Sequence, residues 1–141
     1  MSFDLKLENG SFSFKSGEVV VVNDIEKLKQ DVAKIIITEL GSVRLHNWYG
    51  TTLLGDAIGT SSSRQNLKSE VIRSVSAAMN NLKLIQEQNE KSGQILTSKE
   101  VIGSIDDIDC LDTTDPRQVI ILVKITTRSG IKMSESLPLF L

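Results

Sequence analysis

Residues 23–41 read NDIEKLKQDVAKIIITELG, and the spacing of their apolar side chains decides the fold class. Ile25, Leu28, Val32, Ile35 and Ile36 recur at intervals of three and four, the period of one helical face. Asn23 is suited to an N-cap, Glu26 completes a capping box three residues on, and Asp24 complements the helix dipole. Gly41 follows Leu40 as a stop. The pattern predicts a helix over about Asp24 to Leu40. Upstream the period changes to two. Phe3, Leu5 and Leu7, then Phe12 and Phe14, alternate with polar residues around Asn9-Gly10, a dipeptide matched to a type I′ turn. Glu18 to Val22, rich in β-branched residues, predicts a third strand, so residues 1–22 form an N-terminal β extension.

Downstream, Ser42 to Gly59 reads as an ordered connection, and the serines at 61–63 offer N-caps for a second helix. Leu67, Val71, Val75 and Met79, with Ile72, Leu82 and Ile85, mark its apolar face, and Gly93 follows its end. Its expected span is about Ser63 to Glu90. Beyond Gly93 three strands follow. In the first, Ile102, Ser104, Asp106, Ile108 and Cys110 alternate against Val101, Gly103, Ile105, Asp107 and Asp109. Turn residues Asp112 to Pro116 lead into the β-prone run Val119 to Thr127, and Ile131 to Phe140 returns after Ser129-Gly130. Pro138 has no amide hydrogen for a ladder, so the chain end is expected to be an edge strand or an extended arm. The expected architecture is α+β: a β-hairpin and strand, two helices, then a C-terminal antiparallel meander, in one domain spanning 1–141, with no internal repeat.

Composition narrows the function. The net charge is −2, from 16 basic and 18 acidic residues spread along the chain, which provides no field for a phosphate backbone. Nucleic acid is not an expected partner. No apolar run approaches the roughly 20 residues of a membrane span, and the N-terminus lacks a secretory signal pattern. Synthesis and assembly in a reducing cytoplasm are expected. The single Cys110 cannot pair internally and reads as a small core residue.

Catalytic chemistry finds little footing. His46 could serve as a general base oriented by Glu39 or Asp56, but no nucleophile stands in a recognisable setting, and Cys110 has no histidine near it in sequence. A glycosidase needs only two carboxylates, and Glu39 with Asp56 is the pair to consider. Asp106, Asp107, Asp109, Asp112 and Asp115 lack the glycine and terminal glutamate of a calcium loop. One Cys and one His cannot complete a zinc site. Gly41, Gly50, Gly55 and Gly59 are not followed by Lys-Ser or Lys-Thr, so they form no phosphate loop. No catalytic residue, metal or cofactor is expected.

The run Leu28 to Ser42, followed by Trp48-Tyr49-Gly50-Thr51-Thr52-Leu53, resembles the small inner-baseplate wedge, or sheath-initiator, family of contractile-tailed bacteriophages, which includes a type VI secretion baseplate subunit. The motif positions are Thr38, Gly41, Tyr49, Gly50 and Leu53, and the similarity covers about Ile25 to Gly59. It implies a structural subunit of a tail baseplate in the virion, packed near the tube with larger wedge proteins, with tube or hub proteins as further neighbours. It also implies that a strand is offered to the tail sheath protein. Val119, Ile121, Val123 and Ile125, with Ile131 and Met133, mark the candidate sheath-facing strands. The family often carries a Glu-Pro-Arg stretch after its second helix. Leu82 to Gly93 has neither proline nor arginine, which shifts the expected contact toward the sheath-facing β end. Some members carry a lysozyme label, and an unrelated α+β adaptor is the remaining alternative.

Overall fold

The computed structural model describes residues 3–9, 11–53 and 64–140. Its N-terminal segment contains the expected hairpin, Leu7–Glu8 against Ser11–Phe12, within a more finely divided β arrangement. Six two-residue strands form three separate arms: β1 (Asp4–Leu5) pairs with β6 (Val21–Val22), β2 (Leu7–Glu8) with β3 (Ser11–Phe12), and β4 (Phe14–Lys15) with β5 (Glu18–Val19). The strands exchange partners at Lys6, Ser13 and Val20. The Lys6 N–H donates to the Val20 carbonyl at 2.8 Å, Val20 to Ser13 at 2.9 Å and Ser13 to Lys6 at 3.0 Å. This closed ring satisfies three backbone donors and acceptors where the strands diverge. The junction residues recur every seven positions, a backbone repeat without a matching side-chain repeat. Two arm tips meet the demand of tight hairpins for positive φ, at Asn9 (51°) and at Ser16 and Gly17 (53° and 80°).

Helix α1 spans Asp24–Ile37 and ends three residues earlier than its apolar period predicts. Asn23 occupies the N-cap position in extended conformation, but its side chain makes no capping bond, so the expected capping box does not form. Helix α2 is described over Arg64–Lys91; its predicted first residue, Ser63, lies outside the described residues. It closes with Gln94 N–H on the Asn89 carbonyl and Gly93 N–H on the Glu90 carbonyl, both 3.0 Å. Gly93 sits at φ 95°, the left-handed position this ending requires.

Strands β7 (Ile102–Asp112), β8 (Gln118–Thr127) and β9 (Lys132–Phe140) make an antiparallel sheet with β8 in the centre. Strict alternation in β7 would send Ile102 and Ile105 to opposite faces. Two register shifts, between Ile102 and Ser104 and between Ile105 and Asp107, correct this. As a result Ile102, Ile105, Ile108 and Cys110 lie across from Thr127, Ile125, Val123 and Ile121. The first shift falls at Gly103, where a Cβ would stand 2.8 Å from the Thr127 carbonyl oxygen. Both helices pack on the sheet face that carries Val119, Ile121, Val123 and Ile125. Leu28, Val32 and Ile35 of α1 and Val71, Val75 and Met79 of α2 fill the space between. Burying each such side chain contributes about 1.5–3 kcal/mol.

The three-armed module is fastened to α1 by polar contacts. Gln30 donates from Nε2 to the Leu5 carbonyl at 2.8 Å and accepts the Leu7 N–H at 2.9 Å, standing in for a neighbouring strand. Its Nε2 also reaches Asp4 Oδ2 at 2.9 Å, and Lys34 Nζ bonds the same carboxylate. Partial burial would raise the Asp4 pKa, but Lys34, Gln30 and the Leu5 N–H together hold it below the usual carboxylate range. A carboxyl group with a lowered folded pKa stabilises the docked state fully above its unfolded value of about 3.9 and ceases to do so as pH falls through the lowered one. In an NMR titration from neutral pH, the amide signals of Leu5 and Leu7 are expected to shift together below about pH 4. Asp4→Asn should abolish that transition.

Candidate functional site

The motif residues converge on the exit of α1. Thr38 is its C-cap, extended at φ −80° and ψ 131°, with its N–H and its Oγ1 both on the Lys34 carbonyl at 3.1 and 2.6 Å. The chain returns at Thr51, whose N–H donates to the Thr38 carbonyl and whose carbonyl accepts from Leu40, both at 2.9 Å. Thr51 Oγ1 donates to the Ile36 carbonyl at 2.8 Å. These bonds occupy carbonyls that a helix terminus leaves without partners. They draw residues 38–40 into a parallel bridge with Thr51 and so stop the helix before Leu40. Gly50 has φ 114°, and a Cβ there would collide with the Thr38 carbonyl oxygen. Tyr49 packs against the core and Leu53 is buried in it, while Gly41, at φ 85°, faces open space. Thr52 N–H meets Ser74 Oγ at 3.1 Å and Asn81 Nδ2 meets the Trp48 carbonyl at 3.2 Å, tying the loop to α2.

The catalytic candidates do not assemble among the described residues. His46 is exposed and meets Trp48 edge-on, with ring centroids 5.3 Å apart, and Glu39 is exposed beside the Thr51 bridge. Asp56, Gly55 and Gly59 lie outside the described residues. The acidic series is spread along β7 and the following turn. Asp106 accepts from Ser104 and Thr126, while Asp109 accepts its neighbour's N–H. No group of three metal-capable side chains gathers among the described residues.

A cavity of about 170 Å³ between the helices, lined by Lys27, Asp31, Tyr49, Gln86 and Glu100, went unread in the sequence. Burial raises the Asp31 pKa against the opposing pull of Lys27, 3.0 Å away. Burial, with Asp31 and Asp4, pushes the Tyr49 phenol up to about 12, so it stays a protonated donor at neutral pH. Glu100 is 1% exposed and takes the Thr97 N–H at 2.8 Å. Gln86 bridges the Glu100 carbonyl and the Ile102 N–H, both at 2.9 Å. Gln86 and Glu100 fix the lead-in to β7, and periodicity could not have exposed the role of Gln86 because the backbone it satisfies, at Glu100 and Ile102, is distant in sequence.

The predicted sheath-facing side chains divide differently. Val119, Ile121, Val123 and Ile125 are buried on β8, which has a partner strand on each side and no edge to offer. Met133 points into the core and Ile131 is half-buried at the hairpin. What remains is the outer backbone of β9. The Thr127 N–H bonds the Ile131 carbonyl at 2.8 Å, which makes this a hydrogen-bonded pair. Every second pair from it, through Met133, Glu135, Leu137 and Leu139, bonds to β8 in the same way. Lys132, Ser134, Ser136, Pro138 and Phe140 therefore turn their backbone groups outward, and Pro138 interrupts no bond to β8. On the outer face, Leu111, Ile120 and Pro138 form one cross-strand row.

No protein-family model matches this chain, and no curated protein matches it. No helix among the described residues is long and apolar enough to cross a membrane.

Gly50→Ala combines a strained φ with a collision against backbone and should cost at least about 2 kcal/mol in urea unfolding. Gly41→Ala, strained but unobstructed, should cost about 1 kcal/mol. Equal losses would refute the close-approach account.

Proposed function

We propose that this protein is a non-enzymatic structural subunit of a contractile-tail baseplate, packed with larger wedge proteins near the tube and offering β9 to the first ring of the sheath. The observation that carries this reading is the outward row of backbone groups from Lys132 to Ser136, unpaired among the described residues, along a nine-residue edge strand. An added strand would gain ladder hydrogen bonds and a fixed register together. The Leu111, Ile120 and Pro138 row, with exposed Phe140 nearby, provides side-chain contact beside that edge. Pro138 lacks an outward N–H, so pairing by a partner strand is confined mainly to the stretch before it. The resemblance of the α1 exit motif to the wedge family supplies the identity of the partner, the tail sheath protein. The assembled location is the virion baseplate.

Ser136→Pro removes one outward donor and leaves the β8 ladder intact, so the variant should fold normally by circular dichroism. Mixed with purified sheath protein, it should nucleate sheath polymerisation at least about tenfold more slowly than wild type. Leu137→Pro, whose N–H faces β8, should lose the fold instead. A Ser136→Pro protein that nucleates sheath as well as wild type would falsify strand donation.

A further inference from the structure

The three-armed module has two unlike sides. Pairing places Leu5 opposite Val21, Leu7 opposite Phe12 and Phe14 opposite Val19, one apolar pair on each arm. Strand alternation turns all six side chains to the same side. The other side holds Asp4, Glu8, Lys15 and Glu18, and it is there that Asp4 meets Lys34 of α1. Every member of the apolar set is 37% to 65% exposed, and Phe3, in phase with Leu5, is 64% exposed. Single exposed apolar residues are ordinary, but a contiguous set of this kind is not. Nothing in α1 can cover it, because the helix is docked on the edge and the charged side.

We infer that this face is a self-association surface, on which a second copy of the chain stacks its own module face to face about a two-fold axis. Area is the first argument. A large aromatic side chain carries about 150–250 Å², so Phe3, Phe12 and Phe14, 52% to 65% exposed, offer roughly 350 Å², and the smaller Leu5, Leu7, Val19 and Val21, 37% to 50% exposed, bring the face to roughly 600 Å². Two such faces would bury roughly 1,200 Å², at the lower end of the range of a stable protein interface. Composition is the second. The face presents no charged side chain among the described residues, and wholly apolar patches resemble the interiors of homodimer contacts more than the mixed surfaces of transient ones. With no charge to select a foreign partner, the complement that fits is a surface of the same kind, and a two-fold contact supplies it automatically. The module also has little interior of its own, so covering this side would add the burial that two-residue strands lack. The inference does not rest on the tail reading.

The test is sedimentation equilibrium of the full chain from about 1 to 100 micromolar. Wild type should show a dimer, and Phe14→Glu, which sets a charge within the face, should raise the dissociation constant at least about 30-fold. Its circular dichroism and melting temperature at monomeric concentrations should stay unchanged. Phe12→Ser should act in the same direction, and Phe140→Ser, on the distant sheet, should have no effect. A wild-type monomer throughout that range would overturn the proposal, as would a dimer that survives Phe14→Glu or one that is lost in Phe140→Ser.

Discussion

Much of this molecule depends on one close approach, the backbone of Gly50 against the carbonyl of Thr38. Because no side chain intervenes, the returning strand can reach the last turn of α1, and Thr51 takes both the Thr38 and the Ile36 carbonyls. That contact sets where the helix stops. It also delivers Leu53 to the core and brings the loop to Ser74 and Asn81 on α2. A methyl group at position 50 would therefore disturb contacts with both helices and the core, not its own surroundings alone.

The parts of the fold governed by local period were legible. The α+β class, the two helices and the three C-terminal strands follow from apolar spacing, and of the edge strand or extended arm that Pro138 allows, the structure has the edge strand. What could not be read were features settled by contacts remote in sequence. Helix α1 has the apolar spacing to continue to Leu40, but Thr51 competes for its final carbonyls and wins. In β7 the alternation holds on paper, yet core packing moves Ile105 to the inner face through two bulges. The N-terminal segment alternates like a simple hairpin, and no side-chain pattern marks Lys6, Ser13 and Val20 as points where strands change partners. Only backbone hydrogen bonds define that ring.

For the candidate site the balance is similar. Thr38, Tyr49, Gly50 and Leu53 do gather in space, but they brace the helix exit and lie mostly under the surface. The strand-forming hydrophobicity of the run Val119 to Thr127 put it among the candidates for the strand that the resemblance offers to a partner. The same hydrophobicity makes it the centre of the sheet, and the outward-facing role passes to the more polar β9. Edge strands are commonly less apolar than central ones, so the stronger strand signal was the poorer guide to an accessible edge.

The ring at Lys6, Ser13 and Val20 has a further consequence for how the protein is made. Two arms close over a few residues, the third joins residues 4–5 to 21–22, and the residues that fasten the module, Gln30 and Lys34, follow soon after in the chain. All of these contacts lie within residues 4–34, and the two tight arms close the shortest loops and so form fastest. During synthesis the module and its fastening helix can be complete while the strands at 102–140 are still unmade. Its apolar side then faces the surroundings throughout translation of the rest, and two neighbouring nascent chains on one message could meet there before either has finished its sheet.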